Sequence, residues 1–333
     1  MDAPREFHYR LSGRASGQRP GSHRGLNIGA GQEFVAHMSL FDRPDPRRLD
    51  LRASLRALND DWLVRVNCQR TGVAVRAIVD VSASMSFGSS RPKLHVVADF
   101  VEALGSSAFR VGDAVGMLAF DQAERADLFV PARLSRGMGS VMSELLRSVG
   151  KTPAGHARAA GAPRAARAAD SARVAGAARA DGLPRADRLT RADGLTRADG
   201  LTRADGLEEA ASHLTGQHGL VFIVSDFHWP LARLDVSLDL LAHAAVVPIV
   251  IWDPVEVEPP ERNALAALRD AETGARRTLW LRPTLRQQWR DAVAHRRIEI
   301  VNYFAARAIR PFFIEGAFDA DALSRYFFEG DAR

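Results

Sequence analysis

Two apolar, β-branched runs, residues 73–81 and 220–225, end at acidic residues, Asp80 near the close of the first and Asp226 immediately after the second. Continuous apolar runs of this length are what strands covered on both faces require, and such strands occur in parallel sheets. Parallel neighbours need a crossover, usually a helix. The chain supplies one at 93–109, where Val96, Val97, Phe100, Val101 and Leu104 recur at helical spacing. Residues 114–120 and 126–130 read as further strands and 140–149 as a helix. After a break the alternation resumes, with helix at 207–214, strand at 220–225, helix at 234–245 and strand at 246–252. The order predicts an α/β fold: a doubly wound, mostly parallel sheet with helices on both faces.

The 333 residues are enough to bury a substantial core and to carry additions around it. The expected layout is an N-terminal extension at 1–70, the sheet domain at 71–150 and 207–255, an insertion at 151–206, and a C-terminal α/β extension at 256–333 that packs on the domain. Within the first extension 34–40 and 62–66 read as strands. Gly29-Ala30-Gly31 opens no dinucleotide site, because position 34 is Phe where that fingerprint needs Gly. The C-terminal part offers a strand at 279–281, a long amphipathic helix at 284–307 with Trp289, Val293, Ile298 and Val301 toward the core, and a final strand and helix.

The insertion is rich in Ala, Arg, Gly and Asp and ends in a tandem hexapeptide. Residues 178–183 read ARADGL, followed by PRADRL and then three copies of TRADGL that close at Leu207. One Leu per six residues fits neither a helical stripe nor strand alternation, so a flexible or partly helical linker is expected. The formal charge of +5 also sits here: residues 151–206 hold eleven basic and six acidic residues, and the rest of the chain balances. With no basic face, nucleic acid is not an expected partner. Cys68 is the lone cysteine, which excludes a disulfide framework and suits a reducing compartment. No apolar run reaches the roughly 20 residues a membrane span needs, so a cytoplasmic protein without an integral membrane segment is expected.

In an open parallel sheet the carboxyl ends of the strands emerge on one edge, where ligands bind. Asp80 and Asp226 therefore converge. Ser82 and Ser84 follow Asp80 at alternate positions, and alternate side chains of an extended segment project to one side. A carboxylate and two hydroxyls can then surround a hard cation, Mg²⁺ first, with Mn²⁺ or Ca²⁺ as alternatives. The competing reading makes Asp80 the acceptor of an Asx-turn and the serines turn or cap residues.

Val79-Asp80-Val81-Ser82-Ala83-Ser84-Met85 resembles the metal-ion-dependent adhesion site of von Willebrand factor A domains. Taken with Asp45-Pro46-Arg47-Arg48-Leu49-Asp50, Arg52 to Ser54, Lys93, Val224-Ser225-Asp226-Phe227 and Asp270-Ala271-Glu272-Thr273-Gly274, the chain is similar to a bacterial family of A-domain-like partners of MoxR-type AAA+ ATPases. The stretch from Ser225 to Pro230 is nearest to the member found in methanol-oxidation gene clusters. The resemblance implies a von Willebrand factor A-like fold and a divalent cation held by Asp80, Ser82, Ser84 and Asp226. A threonine completes such sites; Thr202 is the first candidate here, Thr152 its competitor, and a site without threonine the third possibility. The implied role is a non-catalytic, metal-dependent interaction module that works with the ATPase in assembling, maturing or activating a client protein, with methanol dehydrogenase as the client the gene cluster points to.

The main enzymatic alternative is a Mg²⁺-dependent phosphoryl hydrolase using Asp80 and Asp226. Against it, Ser82 and Ser84 stand where such enzymes need an acid or nucleophile. Gly150-Lys151-Thr152 ends like a phosphate-binding loop but lacks its first glycine, since position 145 is Leu. A serine hydrolase would need His228 or His243 to serve Ser225. His228 and Trp229 are candidates for a partner surface, with a packed loop aromatic as the alternative for Trp229. Pro131, Arg133 and Arg136 are candidates for the border of the same edge.

Overall fold

Strict alternation along the central strands divides their side chains between two cores. Val75, Ala77 and Val79, with Leu220, Phe222 and Val224 and with Val247, Ile249 and Ile251, point into one apolar cluster; Ile78, Val221, Ile223, Val250 and Trp252 point into the other. That two-sided burial is why these runs carry no polar alternation. The computed structural model describes residues 6–11, 19–57, 61–149, 196–260, 265–269 and 276–329.

In chain order the elements are β1 (Pro20–Ser39), α1 (Leu51–Ser54), β2 (Leu63–Thr71), β3 (Ala74–Asp80), α2 (Lys93–Val111), β4 (Ala114–Phe120), β5 (Val130–Arg133), α3 (Met138–Val149), α4 (Thr196–Ser212), β6 (Gly219–Ser225), α5 (Leu234–Leu240), β7 (Ala244–Trp252), α6 (Pro254–Val257), β8 (Leu265–Arg269), β9 (Arg276–Trp280), α7 (Pro283–Ala305), β10 (Phe312–Glu315) and α8 (Ala320–Glu329). The main sheet has six strands in the order β10-β7-β6-β3-β4-β5. All pairs are parallel except β4 with β5. Counted by chain order within the sheet this is the doubly wound order 3-2-1-4-5-6, and its switch point lies between β3 and β6. Helices α2, α3 and α8 pack on one face, and α4, α5 and α7 on the other. The α2–α3 crossing is close enough that a Cβ on Gly105 would lie 2.3 Å from Gly139 Cα, so neither position accepts a side chain without helix movement.

Several expectations shift. The strand expected at 126–130 is a 3₁₀ turn, and β5 follows it running antiparallel. Its reversal carries Arg133 beside Val115 at the amino end of β4, so Arg133 does not border the edge that holds Asp80. Ala244 and Ala245 belong to β7 rather than to the preceding helix. The long helix α7 packs through Ile300 and Phe304, whereas Ile298 is 57% exposed and Val301 39%. Helix α4 begins at Thr196, ahead of the helix expected at 207–214, so the last two hexapeptide copies are helical, as the partly helical reading of the repeat allowed. In the final copy Ala204 and Leu207 are buried, and a Cβ on Gly206 would sit 2.7 Å from the Asp121 carbonyl. The earlier copies, Thr152 and the 270–274 motif lie outside the described residues.

The N-terminal extension joins the fold in two ways. Phe7 is buried among Phe100, Phe222 and Phe318, and its amide donates to Ser107 Oγ at 2.9 Å. Tyr9 donates its hydroxyl to Asp113 Oδ2 at 2.6 Å. The remainder forms an antiparallel ribbon of β1 and β2, with α1 capped by Asp50, whose Oδ1 accepts from the Ala53 amide at 3.1 Å. Cys68 is buried in this ribbon as a free thiol. Among the described residues no helix is long and apolar enough to cross a membrane.

Candidate metal and partner-binding site

The in-register pairing of Val79 with Val224 sets the ends of β3 and β6 side by side at the switch point. Asp80, at the end of β3, is therefore next to Ser225, which donates its hydroxyl to Asp80 Oδ2 at 2.7 Å. Asp80 Oδ1 accepts from the Ser82 amide at 2.9 Å, the Asx-turn that the plainer reading of the sequence foresaw. That turn starts a 3₁₀ segment for which Ser82 is the N-cap, yet the Ser82 hydroxyl makes no cap hydrogen bond. It lies 3.2 Å from Ser84 Oγ instead. The two hydroxyls thus share a hydrogen bond, at a separation somewhat above the about 2.9 Å between adjacent octahedral oxygens around Mg²⁺.

Asp226 follows β6 and is fully buried, like Asp80 and Ser82, while Ser84 is partly exposed and forms the mouth. The backbone then turns sharply, because Phe227 adopts φ 50. A non-glycine residue in that region is strained, and such strain persists only where the surroundings hold it. Here Arg296 of α7 donates to the Phe227 carbonyl through Nε at 3.1 Å and to the Trp229 carbonyl through Nη2 at 2.5 Å. The Phe227 amide donates to Ser225 Oγ at 3.1 Å, and the Trp252 indole donates to the Asp226 carbonyl at 2.9 Å. The carboxylate of Asp226 is thus aimed from a braced turn.

Its partners are Ser84, the His228 amide at 3.2 Å from Oδ1, and Lys93, whose Nζ is 2.9 Å from Oδ2. Lys93 Nζ also donates to Glu256 Oε1 at 2.9 Å and Oε2 at 3.2 Å. Burial by itself would raise the Asp226 carboxyl; the charges of Lys93 and His228 and the bonds from Lys93 and Ser84 outweigh it and hold the group below the usual carboxylate range. Burial pulls the Lys93 ammonium down, and Asp226 and Glu256 more than reverse this. For Glu256 burial again raises, and His228 and Lys93 prevail to lower it.

The structure therefore brings Asp80, Ser82, Ser84 and Asp226 to one edge. Thr202 falls inside α4 rather than ahead of it. Trp229 is 3% exposed and gives its indole N–H to Ser225 Oγ, so it is a packed aromatic rather than a partner surface. His228 stacks on Trp252 at the rim, and His243 immediately precedes β7, at the opposite end of the sheet. Ser225 is fully buried and donates its hydroxyl to Asp80. Glu256 and Arg296 were not singled out from sequence, and Lys93 only as part of a motif. A signal for Lys93 existed: a lysine opening an apolar helix puts a cation at the end where the helix dipole disfavours one.

A family model described as "Protein of unknown function DUF58" matches residues 44–299. No curated protein matches the chain. Among solved structures it is similar to the conserved hypothetical protein BatB from Bacteroides thetaiotaomicron, at 12% identity over 79% of this chain and 100% of that one, with a TM-score of 0.37. An aerotolerance-related membrane protein from Bacteroides fragilis gives 13% identity, 78% and 98% coverage and a TM-score of 0.37. A von Willebrand factor type A protein from Catenulispora acidiphila gives 13% identity, 96% and 50% coverage and a TM-score of 0.29.

Proposed function

The chain belongs to the DUF58 family, and we propose that its switch-point edge is a metal-dependent docking site for a protein partner. The observation that carries the proposal is the convergence of Asp80, Ser82, Ser84 and Asp226 on one carboxyl edge, with the two hydroxyls 3.2 Å apart. Asp80, Ser82 and Ser84 would hold Mg²⁺, or Mn²⁺ or Ca²⁺, with Asp226 reaching it directly or through water. A cation bound there supplies an open coordination position that a partner's carboxylate can fill. The partner we assign is a MoxR-type AAA+ ATPase, acting with this protein in the cytoplasm on assembly, maturation or activation of a client. Methanol dehydrogenase is the client proposed from the sequence resemblance. The proposed role is non-catalytic: the edge offers the ion two hydroxyls and two buried carboxylates, and Ser225, at the end of β6, donates its hydroxyl to Asp80.

The test is capture of a MoxR-type AAA+ ATPase from the same organism by wild type and by Asp80→Ala, in Mg²⁺ and in EDTA. Capture by wild type with metal alone is expected. Equal capture by both proteins in both buffers would remove the metal from the mechanism, and no capture anywhere would remove the ATPase. Phosphatase turnover with Mg²⁺ that Asp80→Ala abolishes would replace the docking reading with the hydrolase.

A further inference from the structure

Lys93 is a cation built into this edge, and we propose that it governs the site's occupancy: its ammonium neutralises Asp226 until a divalent cation takes that carboxylate and shifts the lysine onto Glu256. The inference rests on the metal reading of the site given above.

An ammonium has three donors and no acceptor. Those of Lys93 are spent on Asp226 Oδ2 and on the two oxygens of Glu256. The lysine is therefore shared between a carboxylate of the proposed ion site and one outside it. Glu256 is held independently of the lysine, since its Oε2 accepts from the Asp253 amide at 2.9 Å in the capping box of α6. On a flexible four-carbon stem, Lys93 can give up Asp226 and keep Glu256 with a small swing.

The energetics favour such sharing. Buried carboxylates left unpaired are costly, so without an ion the lysine lets the edge fold. With the ion present, two like charges a few ångströms apart repel by several RT even at an effective dielectric of about 20. Lys93 thus lowers affinity for the cation and makes binding conditional. The Lys93 amide donates to the Phe87 carbonyl at 2.8 Å, and the Ser89 amide donates to Asp253 Oδ2 at 2.8 Å. Near these contacts Phe87 and Val255 are 43% and 38% exposed.

Full-length wild type, Lys93→Met and Glu256→Gln are titrated with Mn²⁺ alone by calorimetry, with melting curves in EDTA and in metal. Lys93→Met should bind about tenfold more tightly or better, and metal should raise its melting temperature more than it raises that of wild type. Glu256→Gln should bind more weakly, because the lysine is left with Asp226 as its carboxylate partner. Wild-type binding that Lys93→Met leaves unchanged or weakens overturns the inference and spares the metal site. Binding by Lys93→Met alone supports it. Absence of binding by both removes inference and metal reading together. If Lys93→Met does not fold, the sign of the Glu256→Gln effect decides.

Discussion

Lys93, the first residue of α2, holds its Nζ 2.9 Å from Asp226 Oδ2 across the central crevice of the sheet, with side-chain exposures of 2% and 0%. Two elements far apart in sequence are joined there by a single buried ion pair. Removing one partner of such a pair leaves the other charge without compensation, which costs roughly 3–5 kcal/mol, whereas replacing both by apolar groups is often nearly neutral. Lys93→Met, which strands the buried Asp226, is therefore expected to lose about 3 kcal/mol in EDTA, and Asp226→Leu less, because Lys93 keeps Glu256 at 2.9 Å. The double variant Lys93→Met/Asp226→Leu should lose less than the sum of the two single changes. Urea unfolding of the four proteins closes the cycle, and additive losses would mean that the pair contributes nothing beyond its separate contacts.

Phe7 makes the N-terminal segment part of the core. Its ring lies 6.1 Å from Phe100 and 6.2 Å from Phe318, so it fastens α2 to the segment that leads into α8. Phe7→Ala leaves a cavity that this aromatic cluster cannot close, and a loss of about 3–5 kcal/mol is expected from the denaturation midpoint. A loss below about 1 kcal/mol would show that the segment adds little to the stability of the domain.

How far the fold was legible follows from what a sequence pattern encodes. The runs that became β3, β4, β6 and β7 are almost wholly apolar, and an acidic residue ends β3 and follows β6, so the sheet's centre and the placing of Asp80 and Asp226 on one edge could be read directly. Direction is another matter: period-two alternation reads the same both ways, which is why the reversal of β5 and the displacement of Arg133 were invisible. Phe7 and Tyr9 are two aromatics in a short segment with no periodicity, and nothing local says that they fill the core of a distant domain. Glu256 and Arg296 reach the site from elements beyond β7, and sequence separation carries no distance. Lys93 was visible as an anomaly at a helix start, but its meaning needed the two carboxylates that face it.

Asp50 gives the ribbon a pH dependence. Arg65 Nε at 2.6 Å and the Ala53 amide, together with His37, hold its carboxyl well below the usual carboxylate range. A folded-state value depressed below the unfolded one, near 3.9, contributes stability that is full above that unfolded value and is lost as pH falls through the folded value. Wild type should therefore exceed Asp50→Asn in stability by a constant margin above about pH 5, and the margin should shrink below about pH 4. Chemical denaturation of both proteins across that range reads the margin directly. A gap that widens on acidification would reverse the sign and exclude Asp50 as the responsible group.

The hexapeptide repeat separates sequence identity from structural role. Its final copy opens the packed part of α4, where Leu207 is 0% exposed and Ala204 1%, and where Asp205 pairs with Arg233 beside α5. Leu207→Ala should then cost about 2–5 kcal/mol, the range for a buried leucine. Copies that end before Thr196 were read from sequence as linker, and a connection of this kind adds little to stability because closure entropy grows only slowly with loop length. Deleting residues 155–195 is thus expected to leave the melting temperature within about 2 °C, a change of under roughly 1 kcal/mol in a domain of this size. The leucine of the last copy is buried against the domain, so the two changes together test whether the same residue type at the same place in the repeat carries different weight in different copies. A deletion as damaging as Leu207→Ala would show that the earlier copies also contribute to the fold.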